Sequence, residues 1–77
     1  MYYVYLIQCK DKSIYTGITT DLKRRFQEHK NKIGGHYTKA HNVEKILHTE
    51  QFQTRGEALK REAEIKRMKR DTKLSLL

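Results

Sequence analysis

The sequence predicts an α+β domain, and three observations carry that prediction. Tyr2 to Gln8 is aromatic and β-branched, and a polar break, Lys10-Asp11-Lys12-Ser13, separates it from a second short run at Ser13 to Gly17. A helical apolar stripe then opens behind Thr19-Thr20-Asp21. The strand-then-helix order recurs, with Val43 to Gln51 as a third strand and Thr54 to about Lys69 as a second helix.

The first two runs read as an antiparallel hairpin, because the break between them has hairpin-loop length. Alternate residues of a strand share a face. Tyr3, Tyr5 and Ile7 fall together in the first strand, and Ser13, Tyr15 and Gly17 in the second. At 100° per residue, Leu22, Phe26, His29 and Ile33 form one narrow arc of the first helix. Arg25 sits at the edge of that arc and Arg24 points to solvent. The helix is expected to run to about Asn31 or Lys32, with Gly34-Gly35 stopping it. A polar loop holding His36, Tyr37 and His41 leads to the third strand, whose strongest apolar content is Ile46 and Leu47.

Thr54 and Glu57 have capping-box spacing at the start of the second helix. Its apolar arc is Ala58, Leu59 and Ile65, with Met68 at the margin. Glu62 falls in the middle of the arc. Asp71 is placed to cap a short last helix over Thr72 to Leu77.

The 77 residues make one domain with one small core. Seventeen Lys+Arg against nine Asp+Glu give a net charge of +8, which favours a polyanionic partner. Cys9 is alone, so an intrachain disulfide and a cysteine-based zinc site are both excluded. The apolar run Val4-Tyr5-Leu6-Ile7 is too brief for a signal sequence or a membrane span. A soluble, cytoplasmic protein is expected.

A carboxylate in the centre of an apolar helical face needs a reason, since an unpaired buried charge is costly. Glu62 can pair with a basic side chain, for which Arg25 is the candidate. It can also hold Mg²⁺, which keeps most of its waters and takes one or two carboxylates plus a substrate phosphate. Arg25 offers a rigid, permanently charged fork suited to a phosphate, or it snorkels at the core border. Tyr5 and Tyr15 pack the sheet by default; as general bases they would need a neighbouring cation, because a free phenol has a pKa of about 10. His29, one turn beyond Arg25, is a half-buried histidine or a proton shuttle. His36, His41 and His48 have no metal-ligand spacing. Lys60, Arg61, Lys66, Arg67, Lys69, Arg70 and Lys73 crowd the C-terminal region, as a solvated helix face or as a face that tracks a nucleic-acid backbone.

Taken together, these intervals resemble those of the GIY-YIG endonuclease domain family, and most closely its small stand-alone YhbQ-like branch. Tyr3-Val4-Tyr5 stands at the family's Gly-Ile-Tyr and Tyr15-Thr16-Gly17 at its Tyr-Ile-Gly. The helix arginine falls on Arg25, a histidine found in some homing endonucleases of the group on His29, and the metal-binding glutamate on Glu62. The resemblance covers essentially the whole chain. It implies a three-stranded antiparallel sheet flanked by helices, one divalent metal (Mg²⁺ or Mn²⁺) on Glu62, and hydrolysis of phosphodiester bonds in DNA. In that reaction Tyr15 (or Tyr5) and a metal-bound water would handle the nucleophile.

The departures are Tyr3 for the first glycine, Thr16 for the isoleucine, and Ile18 where the excision-repair nucleases carry a lysine. The asparagine that some members place after the glutamate helix has no counterpart up to Leu77. The appended DNA-binding domain of larger members is also missing, so weak cleavage, or cleavage dependent on a protein partner that supplies specificity, is expected. The alternatives are a non-catalytic nucleic-acid-binding module and a domain that docks its basic helix on an acidic protein.

Overall fold

A computed structural model of the chain describes residues 1–31 and 42–77. Among these, β1 (Tyr2–Cys9), β2 (Ile14–Thr19) and α1 (Leu22–Lys30) are followed by β3 (Val43–Phe52), α2 (Arg55–Lys66) and α3 (Arg70–Leu74). The strands form one antiparallel sheet in the order β2-β1-β3. The expectations for Ile33, Gly34, Gly35, His36, Tyr37 and His41 lie outside the described residues.

β1 is central because its apolar residues are continuous rather than alternating, so it can bury both faces. Val4 and Leu6 pack with Ala58 and Ile65 of α2 on one side. Tyr5 and Ile7 pack with Val43 on the other, joined by Tyr15, Leu22 and Phe26. Burying each such aliphatic side chain contributes about 1.5–3 kcal/mol. The two sides of the sheet therefore share one strand, and α1 and α2 lie on opposite faces of it.

The hairpin closes where the Cys9 N–H donates to the Ser13 carbonyl at 2.9 Å. Lys12 takes a left-handed conformation (φ 73°), and the Asp11 carboxylate accepts from the Ser13 N–H at 3.0 Å. β2 runs two residues beyond the expected Gly17, since Ile18 and Thr19 still pair with Val4 and Tyr3. The Asp21 carboxylate accepts from the Arg24 N–H at 3.0 Å and caps α1, which ends at Lys30. β3 carries two irregularities against β1, between Leu6 and Ile7 and between Gln8 and Cys9. The first pairs Leu6 with His48 but Ile7 with Ile46, and so skips Leu47.

The capping box forms as expected: the Glu57 N–H donates to Thr54 Oγ1 at 3.2 Å, and the Thr54 N–H donates to Glu57 Oε1 at 3.3 Å. α2 ends at Lys66, three residues short of the expected Lys69. The backbone turns extended at Lys69 (ψ 160°), and α3 begins there. Asp71 consequently sits in the first turn of α3 rather than capping it, and Lys69 takes the cap position without a side-chain bond. No helix among the described residues is long and apolar enough to cross a membrane.

Candidate active site

Strand pairing places the two tyrosines. Tyr5 lies opposite Gly17 in the β1–β2 ladder and Tyr15 lies opposite Ile7, so the phenols are diagonal neighbours on the α1 face. Their ring centroids are 6.2 Å apart. Gly17 is what permits this: a Cβ there would stand 2.5 Å from Tyr5 Oη and 2.6 Å from its Cζ. The phenol end of Tyr5 lies over the one position of β2 that has no side chain.

The first helix brings the cation and the imidazole. His29 is buried, and its Nε2 lies 3.0 Å from Tyr5 Oη. Its ring meets the Tyr15 ring edge-on at 5.2 Å. The Arg25 guanidinium lies near the Tyr5 phenol and donates through Nη1 to Glu28 Oε1 at 3.1 Å. Arg25 to His29 is one helical turn, which is why both reach the same phenol.

Burial, partly offset by the nearby Arg25 guanidinium, pushes the Tyr5 phenol up to about 12. About one molecule in 10⁵ then carries a Tyr5 phenolate at neutral pH. Burial and the Arg25 charge lower the His29 imidazole below its usual value, so it is neutral at pH 7. A neutral phenol can donate its proton to the neutral His29 Nε2, with the Arg25 cation beside the pair.

Glu62 lies on α2 between Ala58 and Ile65, with its side chain 15 % exposed. Its charge is felt at the Tyr5 phenol, as is that of Arg25. The Glu62–Arg25 ion pair considered above does not form. Glu62 pairs with Lys66 at 3.5 Å, and Arg25 pairs with Glu28. Both are contacts within one helix, which fix fewer chain degrees of freedom than a bridge between helices. No group of three or more His, Cys, Asp or Glu side chains able to hold a metal occurs among the described residues. The donor set at Glu62 is thus a single carboxylate, which suits Mg²⁺ or Mn²⁺ shared with a substrate phosphate and does not suit a protein-caged ion.

The basic C-terminal residues divide into two groups. Lys60, Arg67 and Lys69 are exposed and have no carboxylate partner among the described residues. Arg61 holds Glu50 in a fork, at 2.7 Å and 3.1 Å, and Lys66 holds Glu62. Arg70 donates to the Lys12 carbonyl and so ties α3 to the hairpin turn. His48, read only as a strand residue, joins the Glu50–Arg61 pair through Nε2 at 2.8 Å. Two features escaped the sequence reading. One is the steric role of Gly17, for which strand parity with Tyr15 was the available signal. The other is Arg55, which joins Arg24 and Arg25 along one cleft; no sequence spacing signals that approach.

The model of the GIY-YIG catalytic domain matches residues 1–75, and the chain belongs to that family, a family of nucleases. Within it the chain is similar to UPF0213 proteins. That of Staphylococcus saprophyticus is 43 % identical over 76 residues, covering 99 % of this chain and 93 % of the relative. That of Syntrophus aciditrophicus is 45 % identical over 76 residues, covering 97 % and 87 %. A solution NMR structure of the UPF0213 protein from Bacillus halodurans superposes with a TM-score of 0.62 at 39 % identity, covering 99 % of this chain and 82 % of that one. The α+β architecture with a three-stranded antiparallel sheet is the one expected from the sequence.

Proposed function

We propose that the protein is an endonuclease that hydrolyses phosphodiester bonds in DNA, with a divalent ion, Mg²⁺ or Mn²⁺, held by Glu62. The observation that supports this most is the convergence of Tyr5, Tyr15, Arg25 and His29 on one face of the sheet, with Glu62 in electrostatic reach. Membership of a nuclease family and the net charge of +8 agree with a nucleic-acid substrate.

A divalent ion on Glu62 would polarise a phosphoryl oxygen and offset charge building on the scissile group. The chain's own residues have separate tasks. Arg25, held by Glu28 beside Tyr5, offers its remaining donors to a phosphate oxygen and stabilises the charge that develops there. Tyr5 positions Arg25 and His29 and stays protonated, so it is a poor base. Tyr15 is half-buried, lies against His29, and feels the Arg25 cation. It is therefore the phenol assigned to take a proton from the attacking water. A protein partner selecting the target belongs to the same proposal.

The test is cleavage of branched, flapped, single-stranded and duplex DNA with Mg²⁺ or Mn²⁺. Glu62→Gln and Arg25→Ala should each lower the rate by about 10²-fold or more. Full activity in Glu62→Gln refutes the site. No cleavage of any substrate, with salt-sensitive binding that ignores EDTA, would instead identify a nucleic-acid-binding module.

A further inference from the structure

Beside the tyrosine centre lies a cleft of about 370 Å³ into which three arginines project from two elements. Arg24 and Arg25 come from α1, and Arg55 is the first residue of α2. Three guanidiniums here face one carboxylate, Glu28, which is already held by Arg25. Among the described residues neither Arg24 nor Arg55 has a carboxylate partner, and both are exposed. Like charges gathered in a concavity repel, and an anion placed between them relieves that repulsion. The α2 N-terminus does not itself supply the anion site, because Thr54 and Glu57 already cap it. The guanidiniums remain as donors.

The rest of the lining also bears on the ligand. Tyr2 and Ile18 give the cleft an aromatic and aliphatic wall, and both rest half-buried against the core. Guanidiniums beside an aromatic face suit an unpaired strand, whose phosphates and bases are both accessible. The volume is that of a small-ligand cleft, which spans about 300–1,000 Å³, and it offers no trough for a duplex. Arg25 lines the cleft and its charge is felt at Tyr5, so a strand lying here would continue into the site.

We propose that this cleft holds the single-stranded segment next to the bond being cut, with Arg24 and Arg55 taking its backbone phosphate and Tyr2 offering a face to the base. The inference rests on the nuclease reading for the identity of its ligand. Arg24 and Arg55 are positioning residues in it, since they touch a phosphate other than the reacting one.

The experiment uses the full chain in EDTA and a fluorescein-labelled single strand of about twelve nucleotides. Its affinity is read by anisotropy between about 50 and 200 mM salt. Arg24→Gln and Arg55→Gln should each reduce the slope of log K against log salt by about 0.7, and the pair by about 1.4. Lysine at both positions should keep the slope, as should Lys45→Gln on β3, and circular dichroism checks that each variant folds. Tyr2→Leu should weaken the single strand without altering the slope. A doubly substituted Arg24→Gln, Arg55→Gln protein that binds with the parent's affinity and slope overturns the cleft while leaving the nuclease reading intact. Loss of slope without cleavage of any DNA by the parent protein sinks the nuclease reading and supports the cleft. Equal losses on a blunt duplex overturn the single-strand assignment.

Discussion

Gly17→Ala tests the packing on which the site depends. The added methyl carbon would stand 2.5 Å from Tyr5 Oη, 2.6 Å from Tyr5 Cζ and 2.9 Å from Tyr15 Cε2. Carbon contacts settle near 3.5–4.0 Å, so the Tyr5 ring must retreat by about 1 Å. That residue is 2 % exposed and tethered to His29, so its ring cannot swing into water without losing that bond. Overpacking of this kind costs about 1–3 kcal/mol, and the loss of a buried hydrogen bond adds about 1. The φ of Gly17 is not in the left-handed region, so alanine adds no backbone strain. Restricting the unfolded chain returns up to about 1 kcal/mol. The net expectation is a loss of about 1–3 kcal/mol, or a Tm lower by roughly 5–20 °C for a domain of this size.

The assay is guanidinium unfolding of a double-mutant cycle with Tyr5→Leu, which removes both of the Tyr5 atoms contacted. Gly17→Ala should cost far less in that background. Tyr5→Phe should rescue less, because Cζ remains. A Gly17→Ala protein as stable as its parent, or a coupling to Tyr5→Leu below about 0.5 kcal/mol, refutes the reasoning.

Three further outcomes follow from the electrostatics. The folded Tyr5 value of about 12 lies above the unfolded value, so its contribution is complete below about pH 10 and is lost as pH rises through 12. Two units are worth on the order of 3 kcal/mol. An ultraviolet titration should show one tyrosine ionising last, and Tyr5→Phe should abolish that step; its persistence would contradict the burial argument. Glu50 is held below the usual carboxylate range by the Arg61 fork and by His48, so its contribution is present at neutral pH and lost as pH falls through the lowered value. Glu50→Gln should cost about 1–2 kcal/mol at pH 7, measured by urea unfolding, and little once the carboxylate is protonated. A cost independent of pH would contradict this account. Lys66 must leave Glu62 before an ion binds there. An i,i+4 helix pair is worth about 0.3–0.5 kcal/mol, so Lys66→Gln should lower the Mn²⁺ concentration for half-saturation about twofold by electron paramagnetic resonance. A variant needing more Mn²⁺ counts against Glu62 as the ligand.

What the sequence revealed and what it hid divide along the range of the interactions. Strand parity and helical periodicity are local, and they placed Tyr5, Tyr15, Arg25 and His29 on the faces where the structure has them. The continuous run Val4 to Ile7 likewise marks a strand buried on both sides, which is why β1 is central. The Glu62–Arg25 pair was mistaken because each residue had a nearer partner. Glu28 stands three residues from Arg25, and Lys66 stands four from Glu62. Local pairs have the advantage when helices are already formed, since closing them orders two side chains and no loop. The approach of Arg55 to Arg24 is not local: it depends on how α2 meets the β2–α1 corner, and no interval within the chain encodes that angle. Local pairing also says where chemistry should be sought. Among the described residues, Arg24 and Arg55 are the cleft's cations that neither a neighbouring turn nor a cross-sheet carboxylate neutralises, and so an external anion gains most by binding between them.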